Sequence, residues 1–233
     1  MHLSVPPDYT LRRIPLNSFR SPDASQWWHG AVWQSTAALR IDQFHPSSTD
    51  HHPRVEGRFC HDTQNIFGRF VVDDRYVLSR ATEFQQLVSL DSCVEFFFQP
   101  PAVVGYFNLE INCGGTALMW YVEDWRRTQT ALAKIRPFTD EAGKQIHIYH
   151  SMPATVFPEI KIPVRWSIGF QFPLALLSPY IGGISDLSGQ TWRANFYKCA
   201  DESSHPHWAS WSPIGEELNF HDPERFGTVR FAV

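Results

Sequence analysis

No run of about 18 apolar residues occurs in the 233-residue chain, so no membrane-spanning helix is expected. No Lys/Arg cluster occurs either. With 20 basic residues against 24 acidic ones and a net charge of −4, the chain lacks the basic footprint of a nucleic-acid binder. The N-terminus, M-H-L-S-V-P-P-D-Y-T-L-R-R-I, has no apolar h-region. The expected location is therefore cytoplasmic if Met1 is the native start, and extracellular or periplasmic if a signal peptide has been removed. Ser210 sits in W-A-S-W-S and not in a G-x-S-x-G elbow, so no serine nucleophile is recognisable. Gly114-Gly115 and Gly182-Gly183 are lone pairs without the helix and Lys of a phosphate-binding loop, and no organic cofactor is expected. No C-x-x-C pair occurs among Cys60, Cys93, Cys113 and Cys199, which read as buried free thiols.

Helical signal is also scarce. The best helical stretch is Asp124–Lys134, and P-L-A-L-L at 173–177 reads as a helical turn. Residues 79–90 leave room for a short helix or a lid. What the chain has instead is aromatic mass. Nine Trp and eighteen Phe contribute to an aromatic share of 15% within 43% hydrophobic residues, a composition that favours strands and a sizeable core. Pro- and Gly-bounded runs read as strands at 55–60, 66–72, 146–150, 155–160, 165–172, 191–198 and 228–232, and alternation of Ala37, Leu39 and Ile41 suggests an earlier one. The first two are expected to form a hairpin through Asp62–Asn65. No repeat or linker divides the chain. The expectation is an all-β, single-domain β-sandwich over 23–233, immunoglobulin- or jelly-roll-like, with one or two short helices and an extended arm at 1–22.

The most informative stretch is 91–115, D-S-C-V-E-F-F-F-Q-P-P-A-V-V-G-Y-F-N-L-E-I-N-C-G-G. Side chains alternate across a strand, so parity sorts them. Val94, Phe96 and Phe98 share one face of the first run, and Phe107, Leu109, Ile111 and Cys113 share one face of the second. Asp91, Cys93, Glu95 and Phe97 take the opposite face of the first run, and Tyr106, Asn108, Glu110 and Asn112 that of the second. Paired, the two strands would gather Glu95, Asn108, Glu110 and Asn112 on one surface. In T-W-R-A-N-F-Y-K, Arg193 and Asn195 likewise oppose Trp192 and Phe196. Such a face suits hydrogen bonding to a polyhydroxylated ligand, and it is equally compatible with an ordinary solvated face. Arg193 could also pair with Glu95 or Glu110 as a packed ion network. Cys93 and Cys113, on opposite faces, should not be bonded.

Other polar clusters read more plainly. His45, His51 and His52, with His61 beyond, suggest a solvated loop more than a metal site, because the spacing matches no closed zinc site. Asp73 and Asp74 end a strand; they read as turn residues that could also ligate calcium. Trp27, Trp28 and Trp33 in W-W-H-G-A-V-W favour packing over ligand stacking.

D-S-C-V-E-F-F at 91–97, Y-F-N-L-E-I-N at 106–112, W-R-A-N-F-Y-K-C at 192–199 continuing to H-W-A-S-W-S-P at 207–213, and N-F-H-D-P-E-R-F-G at 219–227 together resemble the stand-alone bacterial group of family 9-like carbohydrate-binding proteins, from about Trp33 to Phe231. The resemblance implies a DOMON-like β-sandwich, often with bound calcium, and sugar binding in carbohydrate catabolism. Xylanase-attached members clamp a sugar between two Trp rings, one just before D-S-x-V-E; here that approach reads Q-Q-L-V-S-L. The expected ligand is a mono- or oligosaccharide held by Glu95, Asn108, Glu110, Asn112, Arg193 and Asn195, with Trp208, Trp211 or Trp120 stacking on the ring. Two alternatives compete. Glu95 and Glu110 could serve a glycoside hydrolase or lyase as acid and base or nucleophile, and Met119, Met152 and His150 could ligate haem in an electron-transfer module.

Overall fold

The computed structural model describes residues 6–16, 18–19, 30–129, 131–184 and 186–233. Trp27 and Trp28 and the outer parts of the arm at 1–22 lie outside them. The strands are β1 Asp8–Arg13, β2 Leu39–Arg40, β3 Gln43–Phe44, β4 Arg54–His61, β5 Asn65–Asp74, β6 Val77–Ser79, β7 Cys93–Gln99, β8 Tyr106–Asn112, β9 Ala117–Arg127, β10 Leu132–Pro137, β11 His147–His150, β12 Val156–Ile160, β13 Val164–Pro173, β14 Thr191–Cys199, β15 Trp208–Ser210 and β16 Gly227–Phe231.

One sheet runs β10-β9-β8-β7-β14-β16-β1, and the other runs β1-β4-β5-β13-β11. The arm thus contributes a strand shared by both sheets. Asp8–Leu11 pair in parallel with β16, and Arg12–Arg13 pair in parallel with β4. Tyr9 and Leu11 point inward from that seam into the main core. The Tyr9 hydroxyl donates to the Ala37 carbonyl (2.6 Å) and accepts from the Phe59 amide (3.0 Å). The expected all-β sandwich is present. Among the described residues no helix is long and apolar enough to cross a membrane.

Parity places the core as the sequence implies. Val94, Phe96 and Phe98 from β7, Phe107, Leu109 and Ile111 from β8, and Trp192, Ala194 and Phe196 from β14 pack between the sheets against Phe59, Phe70, Trp166 and Phe170. Stacked rings of Phe96 and Phe196 (5.0 Å, 6°) mark its centre. The 55–60/66–72 hairpin forms, with the Asp62 carboxylate accepting the Gln64 and Asn65 amides at 2.7 Å each. The turn at 173–177 is a 3-10 helix over Leu174–Leu177.

Some expectations fail. Asp124–Lys134 is not helical: it spans the end of β9 and the start of β10, antiparallel partners with Leu132 opposite Arg127. The stretch has no apolar stripe for a helix to bury, whereas Thr128 closes a tight turn by accepting and donating hydrogen bonds with Ala131. Residues 79–90, by contrast, do hold a short helix, the 3-10 turn Val88–Leu90. The alternation at 37–41 yields only the two-residue strand Leu39–Arg40; Leu39 and the following Ile41 are buried, and Ala37 is exposed. The histidines do not form a solvated loop. His45 is buried with Nε2 3.0 Å from the Glu216 carbonyl, His51 donates to Asp74 at 2.7 Å, and His61 is buried; only His52, stacked on Phe44, is exposed.

Candidate functional site

The outward face of the first sheet gathers the residues that parity assigns to it. Glu95 on β7 lies directly opposite Glu110 on β8 and opposite Tyr197 on β14, and Phe97 faces Asn108. This face is not open to solvent along its length. The chain from 211 to 226 folds over one part of it, burying Phe97, Tyr106 and Tyr197 under Ile214, Leu218, Phe220 and Phe226. Residues 81–91 close another part through Asp91, whose carboxylate accepts from the Arg80 and Ala81 amides and from Asn112.

Between those covers lies a cavity of about 370 Å³. Glu95 and Glu110 reach it from the sheet, together with Arg127, Cys199 and Asp201, and Trp208, Phe220 and His221 line its walls. Phe220 is backed by Tyr197, stacked at 4.0 Å and 13°. The Trp208 indole donates to Asp201 at 2.7 Å, which fixes the ring beside the acids. Burial pushes both glutamates well above the usual carboxylate range, with Glu110 further raising Glu95. Glu110 rises to about 7: burial lifts it, the amide of Asn108 at 2.8 Å opposes the rise, and Asp201 adds to it. Asp201 is raised by burial as well. His221 is pushed down to about 3 by burial and then by Arg127, so it stays neutral, with Nδ1 2.5 Å from the Tyr106 hydroxyl. Among the described residues Arg127 meets no carboxylate; it reaches Asn219 at 3.3 Å and leaves donors over the cavity.

The sequence-based site residues divide accordingly. Glu95, Glu110 and Trp208 line the cavity. Asn108 holds Glu110 in place and accepts the Trp120 amide (3.1 Å), so it positions rather than binds. Trp120 is half-buried beside Phe220 and Cys199 in the surrounding apolar cluster. Asn112 is spent on Ala81, Asp91 and Thr116, and Asn195 on Ser212 and Phe196, all with good geometry. Arg193 is neither in the cavity nor paired with either glutamate. Its guanidinium donates to the Glu224 carbonyl at 3.1 Å from an exposed position. Trp211 packs edge-on against Phe196. Arg127, Asp201, Phe220 and His221 were missed. Phe220 and His221 stand in the N-F-H-D-P-E stretch, and their signal was an aromatic and a polar residue in a chain segment with no strand of its own.

Asp73 and Asp74 do not converge as a calcium site. Asp73 takes Arg165 at 2.5 and 3.0 Å on the outer side. Asp74 points inward to His51, the Trp166 indole at 3.1 Å and Lys198 at 3.8 Å. Burial would raise the Asp74 carboxyl, but Lys198 and His51 outweigh it and hold the group far below its ordinary value. Cations already occupy both acids, so the pair does not fit a calcium ion. One other donor set stands together among the described residues: Cys93, Glu95 and Cys199, with ligand atoms all within 4.8 Å. Two thiols make that a soft set, unsuited to calcium. The haem ligands are not assembled either. Met119 is in the inner core, and His150 faces the Met152 carbonyl from an exposed position.

Glu95 and Glu110 sit side by side on one sheet, and burial raises both above the ordinary carboxylate range. A β-sandwich carrying such a hydrogen-bonding pocket beside aromatic walls belongs with the non-catalytic carbohydrate-binding modules. The chain is a member of carbohydrate-binding family 9, whose sequence profile matches residues 32–231. It is similar in structure to a candidate carbohydrate-binding protein from Bacteroides uniformis ATCC 8492, with 25% identity over 97% of this chain and 99% of that one and a TM-score of 0.84. Two family 9 module structures from Caldicellulosiruptor kristjanssonii, in complex with glucose and with cellotriose, share the fold at 8% and 9% identity. They cover 97% of this chain and 95% and 94% of theirs, with TM-scores of 0.58 and 0.61. No functionally curated protein matches the chain.

Proposed function

We propose that this family member binds a mono- or oligosaccharide in the cavity above Glu95 and Glu110 and does not cleave it. The observation that supports the site most directly is the pairing of hydrogen-bonding acids with aromatic walls in one half-enclosed space. Protonated Glu110 can donate to a sugar oxygen and accept from a hydroxyl, Asp201 accepts, and Arg127 donates from above. Trp208 and Phe220 offer ring faces to the C–H side of a pyranose. A larger depression of about 650 Å³, lined by residues of 82–84, 115–117 and 140–148, contains Phe84 but none of the buried acids, and is the weaker candidate.

Calorimetric titration with glucose, cellotriose and a broader glycan panel tests this reading. A sugar that binds the native protein should lose at least tenfold in affinity with Trp208→Ala and with Phe220→Ala, while Arg193→Ala leaves it unchanged. Full affinity in both aromatic variants would remove the cavity from the site. Incubation of the same ligands should release no reducing sugar; release that disappears in Glu110→Gln would restore the hydrolase reading.

A further inference from the structure

The outward face of the other sheet carries a separate cavity of about 310 Å³. Strand alternation builds it. Val55, Gly57 and Phe59 point inward from β4, so Arg54, Glu56 and Arg58 point out; Arg69, Val71 and Asp73 do the same on β5, and Arg165 on β13. Four guanidinium groups therefore line it against two carboxylates, Glu56 and Asp73.

Each carboxylate is already used. Glu56 accepts from Arg58 Nε at 2.9 Å, and Arg58 Nη1 donates to the Trp33 and Thr36 carbonyls at 3.1 and 2.5 Å. Asp73 is engaged by the fork of Arg165. Arg54, opposite Asp73 in the register, forms no ion pair of its own among the described residues. Arg69 stands directly opposite Arg58, a like-charge cross-strand pair, and its buried Nε has no acceptor. Like charges facing each other across strands are destabilising, and an arginine cannot relieve this by losing its proton at any ordinary pH. A buried donor without an acceptor adds a further cost. An anion with several oxygens between Arg69 and Arg54 would give the Arg69 Nε an acceptor and offset the repulsion that Glu56 only partly balances.

We propose that this cavity binds an oxyanion: a phosphate, sulfate or carboxylate group, either free or carried on a sugar, held by Arg69 and Arg54 with Arg165 at the rim. Planar guanidinium forks match such groups in a bidentate manner. The site lies on the sheet that does not contain the Glu95 cavity, so it stands or falls separately from the sugar reading.

The test uses calorimetric titration and thermal melts of the full chain at constant ionic strength. The probes are sodium phosphate, sodium sulfate and glucuronate, with sodium chloride as the reference. Saturable binding of one probe, with a melting temperature above that in chloride, is expected. Phosphate or sulfate binding assigns a free or ester-borne inorganic group, and glucuronate binding alone assigns a sugar carboxylate. Arg69→Gln should weaken the bound probe at least tenfold, and Arg69→Lys should weaken it less, because it keeps the charge but loses the fork. Trp208→Ala should leave it unchanged. In chloride at low salt, Arg69→Gln should melt no lower than the native chain, since it removes the repulsion with Arg58. No saturable binding of any probe to the native chain would overturn the proposal. So would equal affinity in Arg69→Gln, or a lower melting temperature of that variant in chloride, which would make Arg69 a structural group.

Discussion

Glu110 shows how one buried carboxyl ties the binding face to solution pH. Its folded value of about 7 lies above its ordinary 4.5, so folding takes up a proton through this group. The stability it contributes is present in full below about 4.5 and is lost as pH rises toward about 7. Glu95 acts in the same direction. His207 and His221 act oppositely: both are pushed from 6.5 to about 3, chiefly by burial, so their contribution is lost as pH falls from 6.5 through about 3. Glu110→Gln keeps an oxygen for Asn108 and removes only the ionisation. Its melting temperature should exceed that of the native protein at pH 8 and match it at pH 4, with a shallower slope between. An equal shift at both pH values would show that packing, rather than the buried charge, sets the cost. A clear pH dependence of sugar affinity near neutrality should accompany it, since protonated and ionised Glu110 present different hydrogen-bonding groups to a hydroxyl.

At the scale of elements, close packing is set by residues that parity alone does not reveal. Gly68 lies in β5 between β4 and β13, opposite Phe59 and Phe170. A Cβ there would lie 2.3 Å from a Phe170 ring carbon and 2.8 Å from one of Phe59. Glycine is needed for space here, and Gly68→Ala should cost about 1–3 kcal/mol through overpacking. Urea melts would show this, and a cost below measurement would mean that the two rings move aside freely. The same contrast explains what the sequence made legible. The period-two alternation of 93–99, 106–112 and 191–199 placed Glu95, Asn108, Glu110, Asn112 and Asn195 on one sheet face because burial of one side leaves no freedom of register. It could not say what covers that face. The segment 211–226 that does so has only the 3-10 turn Pro223–Arg225, and its side chains follow no period. Phe220 and His221 therefore escaped notice, as did Arg127 and Asp201, which stand where the alternation of β9 and β14 runs out. Asp124–Lys134 was misread for a related reason: an exposed edge hairpin buries little, and its polar residues carry no alternation to distinguish it from a surface helix.

At the scale of the whole molecule, the two sheets are joined by more than apolar contact. Lys198 takes the inward parity of Trp192, Ala194 and Phe196 on β14 and is fully buried. It donates to the Cys199 carbonyl at 2.9 Å and to His207 Nε2 at 2.7 Å, and faces Asp74 of the other sheet at 3.8 Å. Asp74 in turn accepts from His51, the Arg75 amide and the Trp166 indole, and His207 Nδ1 donates to the His205 carbonyl at 2.8 Å. Every member has partners, which is the condition under which a buried polar network is tolerated. Removing one member breaks that condition. Lys198→Met fits the volume but takes the buried ammonium from Asp74 and leaves His207 Nε2 without a donor, so it should destabilise by about 3–5 kcal/mol. Adding Asp74→Asn removes the stranded charge while keeping a carbonyl oxygen for the Arg75 amide and the indole, so the double variant should be more stable than Lys198→Met alone. That ordering, read from denaturant midpoints at pH 7, separates a charge bridge between the sheets from mere filling of space. If the double variant instead loses the sum of the two single losses, Lys198 and Asp74 are not coupled, and the sheets are held by the aromatic core alone.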